Sequence, residues 1–126
     1  MENFGKWFPE VIDIKSENNF VHGQIGKKYI ELVKDPIKGN ARMTIEVKES
    51  KKNSLFVAQG NYTPLLPQMT VTFSESSHDT TLVHCRMDGR NENIVSRLFL
   101  LPLARIIMGS RTHTGLNKLK YNLENN

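Results

Sequence analysis

The chain predicts a two-layer α+β fold, a curved antiparallel sheet of about six strands gripping a long C-terminal α-helix. Three observations carry this. Successive short segments alternate apolar and polar residues with the period of two of a half-buried strand. The turns between them are short, which suits antiparallel pairing, because parallel neighbours need long crossovers. The last third, residues 93–126, reads instead as an amphipathic helix, and only this element is long enough to cover the sheet's apolar face. At 126 residues the chain is a single domain, 1–126, large enough for one core and too small for two.

Taken in order, residues 3–9 are rich in aromatics (Phe4, Trp7, Phe8) and fit one helical turn before Pro9. Residues 11–15 alternate, and Glu17-Asn18-Asn19 supplies turn chemistry. Residues 24–33 form the next strand, entered through Gly26 and ended by Asp35-Pro36, with a loop over 36–40. The clearest alternation is 41–48, where Met43, Ile45 and Val47 point one way and Arg42, Thr44, Glu46 and Lys48 the other. A charged turn over 49–53 leads to a strand over 54–62 with Leu55 and Val57 on the apolar face. A two-proline connection over 63–67 follows. Residues 68–74 put Met69, Val71 and Phe73 on one side, and a polar turn over 76–80 leads to 81–87, where Val83, Cys85 and Met87 share a face.

Within the closing helix Leu116, Leu119 and Leu123 follow the i, i+3, i+7 spacing of one apolar stripe. Pro102 interrupts the pattern, since it removes a backbone donor and clashes with the preceding turn. It predicts a kink or break near residues 98–101, with Gly109-Ser110 as a second weak point. Two readings stand beside each other: a bend that fits the helix to a twisted sheet, and a hinge that gates a pocket.

Seventeen basic against thirteen acidic residues leave a net charge of +4. That is mild, and no basic run is interleaved with aromatics, which argues against nucleic-acid binding. Lys27-Lys28 and Lys51-Lys52 sit beside turns, as solvated charge does. One cysteine, Cys85, excludes an intramolecular disulfide and a cysteine-based metal site. No apolar run reaches the ~18–20 residues of a membrane helix, because Pro102 and Arg105 break 98–108. The first residues lack a basic region followed by an apolar stretch, so a cytoplasmic location without membrane insertion is expected.

His22, His78, His84 and His113 show no metal-ligand spacing, so no metal is expected. His84 falls out of phase with the apolar face and His113 on a polar helix face. Cys85 alternates with His84 and Arg86, which must face the other way, so no nucleophile–base pair forms and Cys85 reads as a small core residue. Glu31 is the one carboxylate in phase with Tyr29 and Val33. It is a candidate catalytic acid, partly buried and paired with a helix arginine such as Arg105, or else a solvated surface acid.

The chain also resembles a known family. Lys6-Trp7-Phe8-Pro9-Glu10-Val11 is similar to its Trp-x-Pro-x-Val segment, Gly26 to the glycine that opens a strand, and Thr80-Thr81-Leu82-Val83 to its Gly-Thr-x-Val. Gly115-Leu116-Asn117-Lys118-Leu119-Lys120 is similar to the end of its closing helix. These residues resemble the SRPBCC, or START-like, superfamily of helix-grip proteins, which includes polyketide cyclase/dehydrase-like proteins and pathogenesis-related lipid carriers. The likeness runs over nearly the whole chain, and its motifs are structural. One departure stands out: members begin with a strand and a small helix before the Trp-x-Pro segment, whereas here Trp7 follows six residues. Without that strand two edges would lie open, near residues 11–15 and 81–87. The chain starts upstream, a second copy supplies or pairs the edge as a homodimer, or the sheet stays open.

The resemblance implies a cavity between sheet and helix that holds an apolar or amphipathic small molecule, with no cofactor. The sheet would line it with Tyr29, Met43, Ile45, Leu55, Val57, Met69, Val71, Phe73, Val83, Cys85 and Met87. Trp7 and Phe8 would stand at the mouth, and Leu103, Ile107 and Leu116 would come from the helix. Gln59 and Asn61 would be its inward polar groups, unless they end the strand in water. The same apolar residues serve equally as an ordinary packed core. The leading expectation is a hydrophobic-ligand or lipid-binding carrier domain. The alternatives are a cyclase/dehydratase-like enzyme in which Glu31 moves a proton, and a non-catalytic protein-interaction or stress-response module that uses the open sheet edge.

Overall fold

The computed structural model describes residues 1–35, 39–77, 79–93, 98 and 101–125. The alternating segments form six strands: β1 (Val11–Ser16), β2 (Lys28–Asp35), β3 (Gly39–Lys51), β4 (Leu55–Gly60), β5 (Pro67–Glu75) and β6 (Thr81–Gly89). One helix, α1 (Leu101–Glu124), follows, and a single 3-10 turn, Phe4–Lys6, precedes β1. The strands lie in chain order, each antiparallel to the next. The sheet is open: β1 pairs with β2 alone and β6 with β5 alone among the described residues.

Most strand bounds differ from the sequence expectation by one or two residues, and two differ by more. β3 continues through Glu49 to Lys51, and the turn is compressed to Lys52, Asn53 and Ser54, with Asn53 at φ 61° and the Ser54 N–H donating to the Lys51 carbonyl. β2 begins at Lys28 because Gly26 lies in the preceding turn at φ 86°. The Phe20 ring packs so closely there that a Cβ on Gly26 would fall 2.9 Å from it, and the Gly26 N–H donates to the Val47 carbonyl. Only glycine suits both constraints.

The inner face is set by register. Tyr29 lies opposite Ile45, Glu31 opposite Met43, Met69 opposite Met87, Val71 opposite Cys85 and Phe73 opposite Val83. β4 departs from expectation. Ala58 sits between Val47 and Met69, Phe56 opposite Val71 and Gly60 opposite Ile45, so Phe56, Ala58 and Gly60 carry the inner face and Leu55 and Val57 the outer. The segment is apolar in both phases, so alternation could not choose between them. The pairing of Ala58 with both Val47 and Met69 fixes the phase, and a register shift between Val47 and Glu49 puts one extra residue into β3 beyond that point.

α1 runs unbroken through Gly109-Ser110. Pro102 is the second residue of α1, in the first turn, where proline is best tolerated. The kink expected near 98–101, and the hinge that depended on it, fall mostly outside the described residues. The expected stripe stops short: Leu116 and Leu119 are half-buried, but Leu123 is 68% exposed. α1 packs on β6, and at Gly115 it crosses the N-terminal aromatics, where a Cβ would lie 3.2 Å from Pro9 and 3.3 Å from Phe8. Phe4 and Phe8 stack at 4.6 Å between ring centroids, Trp7 meets both edge-on, and Phe4 and Phe8 pack on Met69 and Val71. No helix among the described residues is long and apolar enough to cross a membrane.

Candidate functional site

The inner face is filled at one end and hollow at the other. At the filled end the aromatic trio packs with Val71, Phe73, Val83 and Cys85. At the other end a cavity of about 280 Å³ lies between sheet and helix. Its sheet wall comes from Glu31 and Val33 on β2, Met43 and Ile45 on β3, and Ala58 and Gly60 on β4. Met69 and Met87 continue that wall, Phe4 and Phe8 partition it from the filled end, and Leu103, Ile107, Met108 and Arg111 close it from α1. Tyr62, Pro64 and Leu65, from the β4–β5 connection, stand at its rim.

The hollow follows from side-chain size. Of the inner-face residues of β4, the two that border the cavity are the small Ala58 and Gly60, whereas Phe56 packs into the core. A Cβ on Gly60 would fall 2.9 Å from Met43 Sδ and 3.0 Å from Pro67 Cγ, so the neighbouring side chains lean over the glycine without filling the space.

Glu31 is the polar group set into this wall. The residue is 1% exposed and borders the cavity, and no hydrogen bond or ion pair to its carboxyl is present among the described residues. Burial alone pushes its carboxyl up to about 7, since a charge with no partner in apolar surroundings is disfavoured. Arg105 is not its partner: that side chain is exposed and borders a separate small hollow with Asp88. The helix arginine on the cavity wall is Arg111, at no ion-pair distance from Glu31. At the rim the Tyr62 hydroxyl donates to the Asp35 carboxylate, which raises the phenol's pKa. The Arg90 guanidinium donates to the Gly60 carbonyl at 2.6 Å, tying the end of β4 to the chain leaving β6.

Of the residues expected to line a cavity, Phe8, Glu31, Met43, Ile45, Met69, Met87, Leu103 and Ile107 lie on its wall. The others do not. Leu55 and Val57 face outward, as β4 register requires, and Gln59 shares their face, its Nε2 donating to Gln68 Oε1 at 2.7 Å. Asn61 is exposed and accepts the Thr44 N–H. Val71, Phe73, Val83 and Cys85 face inward but are absorbed into the filled end. Trp7 packs on Phe4 and Phe8 rather than at a mouth, and Leu116 lies one residue beyond the Gly115 crossing, off the wall. Tyr29 is fully buried beside the cavity, its hydroxyl 3.0 Å from His22 Nδ1 and its ring stacked on that imidazole.

Sequence reasoning missed Phe4, Val33, Ala58, Gly60, Met108 and Arg111. Val33 was legible from its phase with Glu31; the two small residues carry no signal, because a void is recorded only by what is absent. His84 faces outward opposite Thr72, His113 is exposed with its Nε2 3.2 Å from Asn117 Nδ2, and His78 lies outside the described residues. Among the described residues no cluster of three or more His, Cys, Asp or Glu is placed to hold a metal ion. Burial pushes the Cys85 thiol up to about 11, which keeps it protonated and unreactive near neutral pH.

Comparison with protein-family models, with curated proteins and with solved structures finds no match to this chain.

Proposed function

We propose that the protein binds a small hydrophobic or amphipathic molecule between its sheet and its helix, as a carrier or binding domain of the helix-grip, SRPBCC-like kind. The observation behind this reading is the apolar cavity of about 280 Å³. Protein cores pack to crystal density with few voids larger than a water molecule, and a water's share of liquid volume is about 30 Å³. A hollow many times that size, with nearly all its lining apolar, is stabilised by a ligand that replaces the lost contacts. A second reading draws on Glu31 alone. A buried carboxyl that titrates near 7 suits a general base at neutral pH, as a cyclase/dehydratase-like enzyme would need.

Native mass spectrometry of the protein purified from its own host tests the first reading. Extra mass that is lost on denaturation is expected, and Val33→Phe, which fills the cavity from β2, should abolish it. A bare chain in every preparation would sink the carrier reading. Recovery of the bound molecule chemically unchanged after prolonged incubation separates binding from turnover. The same spectrum reports the mass of the assembly, and a dimer would support self-pairing through the open edges of β1 and β6.

A further inference from the structure

The cavity is apolar over most of its wall, and set into the middle of that wall is a carboxyl that no side chain among the described residues answers. Glu31 sits in mid-strand on β2, opposite Ile14 on one side and Met43 on the other, with 1% of its surface exposed. We propose that the ligand is a small hydrophobic amine, its ammonium against the Glu31 carboxylate and its hydrocarbon body in the space between sheet and helix. This rests on the cavity-binding reading and names the class of ligand.

The chemistry selects this class by elimination. A buried, unpaired polar group is costly, and a ligand that answers it gains more than one that merely fills space. An ionised carboxylate only accepts hydrogen bonds, and an ammonium only donates them. Charge-assisted hydrogen bonds of this kind are about twice as strong as neutral ones. An anionic ligand such as a fatty acid would set two carboxylates against each other, which raises one pKa and weakens binding near neutral pH. A neutral alcohol or ketone would use Glu31 only as an ordinary partner.

The other charged and titratable groups around the cavity are few. The N-terminal segment contributes the Met1 ammonium, which borders the cavity and is held by the Glu2 carboxylate at 3.1 Å, and α1 contributes Arg111, which is half-exposed and not ion-paired with Glu31. β2 itself contributes Asp35, held by the Tyr62 hydroxyl from the β4–β5 connection, and Lys34 at the rim, exposed to solvent. The wall residues of β3, β4, β5 and β6 carry no charge. The carboxyl is therefore open to a cation delivered by a ligand. Because Glu31 ionises near neutral pH while an alkylamine stays protonated, affinity for the amine rises with pH across that range.

The experiment is isothermal titration of the whole chain with three matched probes: 2-phenylethylamine, 2-phenylethanol and phenylacetate. At pH 8 the amine is expected to bind at least about tenfold more tightly than the alcohol, with phenylacetate weakest. In Glu31→Gln the amine should fall to the affinity of the alcohol. Should that variant fail to fold, the wild-type protein still decides the matter: amine affinity should rise about fivefold or more from pH 6 to pH 8, with the alcohol unchanged. An alcohol that binds as well as the amine at pH 8, or an amine affinity that is flat with pH, overturns the amine assignment and leaves the cavity reading standing. Failure of all three probes to bind overturns both.

Discussion

The two ends of the inner face are built from the same sheet yet solve opposite problems. At the filled end Phe4 and Phe8 come down onto Met69 and Val71, and Phe56, Phe73, Val83 and Cys85 complete a continuous apolar cluster. At the hollow end β4 presents Ala58 and Gly60, α1 presents Leu103 and Ile107, and about 280 Å³ between them stays unfilled. Hydrophobicity does not separate the ends, since both are lined by apolar side chains. Reach does. Aromatic rings inserted from the N-terminal segment close one end; at the other β4 offers only small residues between the methionines of its neighbours. The difference shows how a protein of this size can keep a packed core and an unfilled space under one sheet.

Truncation breaks this contrast most directly. Phe8→Ala removes a buried ring from the stacked pair and should cost about 3–5 kcal/mol in denaturant unfolding. Leu103→Ala, already 54% exposed and facing a void, should cost less than about 1 kcal/mol. Similar losses at the two positions would mean that the hollow end is packed as tightly as the filled one.

The next effect concerns the charge at the hollow end. Below pH 4.5 the Glu31 carboxyl is neutral in both the folded and the unfolded chain and costs nothing. As pH rises above that, the unfolded chain releases the proton while the folded chain holds it until about 7, so stability falls across this window. Above it the loss is constant, at about 3 kcal/mol for a shift of this size. Glu31→Gln should therefore be more stable than the wild type at pH 8 and lose that advantage at pH 4, in thermal melts at both values. A ligand amine should recover part of the difference in the wild type alone.

Two glycines of α1 sharpen the comparison further. Gly115 lies against Pro9, Phe8 and the Trp7 carbonyl over the filled end, so Gly115→Leu should destabilise by about 2 kcal/mol through overpacking. Gly109 has nothing within 4 Å of where its Cβ would stand, so Gly109→Ala should stabilise by about 1 kcal/mol through helix propensity. Opposite signs from one substitution series would locate where the helix touches and where it stands clear.

The sheet was legible because alternation in β3, β5 and β6 leaves one phase mainly apolar, and strands with a single buried face must obey it. β4 was not, since Leu55, Phe56, Val57 and Ala58 are apolar in either phase and only pairing with Val47 and Met69 decides between them. Glu31 could be found because it falls in phase with Tyr29 and Val33. Its helix partner could not: pairing with Arg105 is a matter of how α1 is rotated, and Leu103, Ile106, Tyr121 and Leu123, all exposed, spread apolar character around the helix instead of marking one face. The void itself is a property of packing in three dimensions, and Ala58 and Gly60 look unremarkable in a strand.

The order of the sheet carries a further consequence, for the sequence of events in folding. Every pairing joins strands that are neighbours in the chain, so the ladder can grow one hairpin at a time with only short loops to close. The cavity is assembled otherwise, from Phe4 and Phe8 near the beginning of the chain and α1 at its end. Those contacts span the greatest separations in the molecule and are the most expensive to close. A nascent chain can thus knit its ladder while the last turns of α1 are still being made, and the space beneath the sheet is enclosed only when α1 docks beside Phe4 and Phe8.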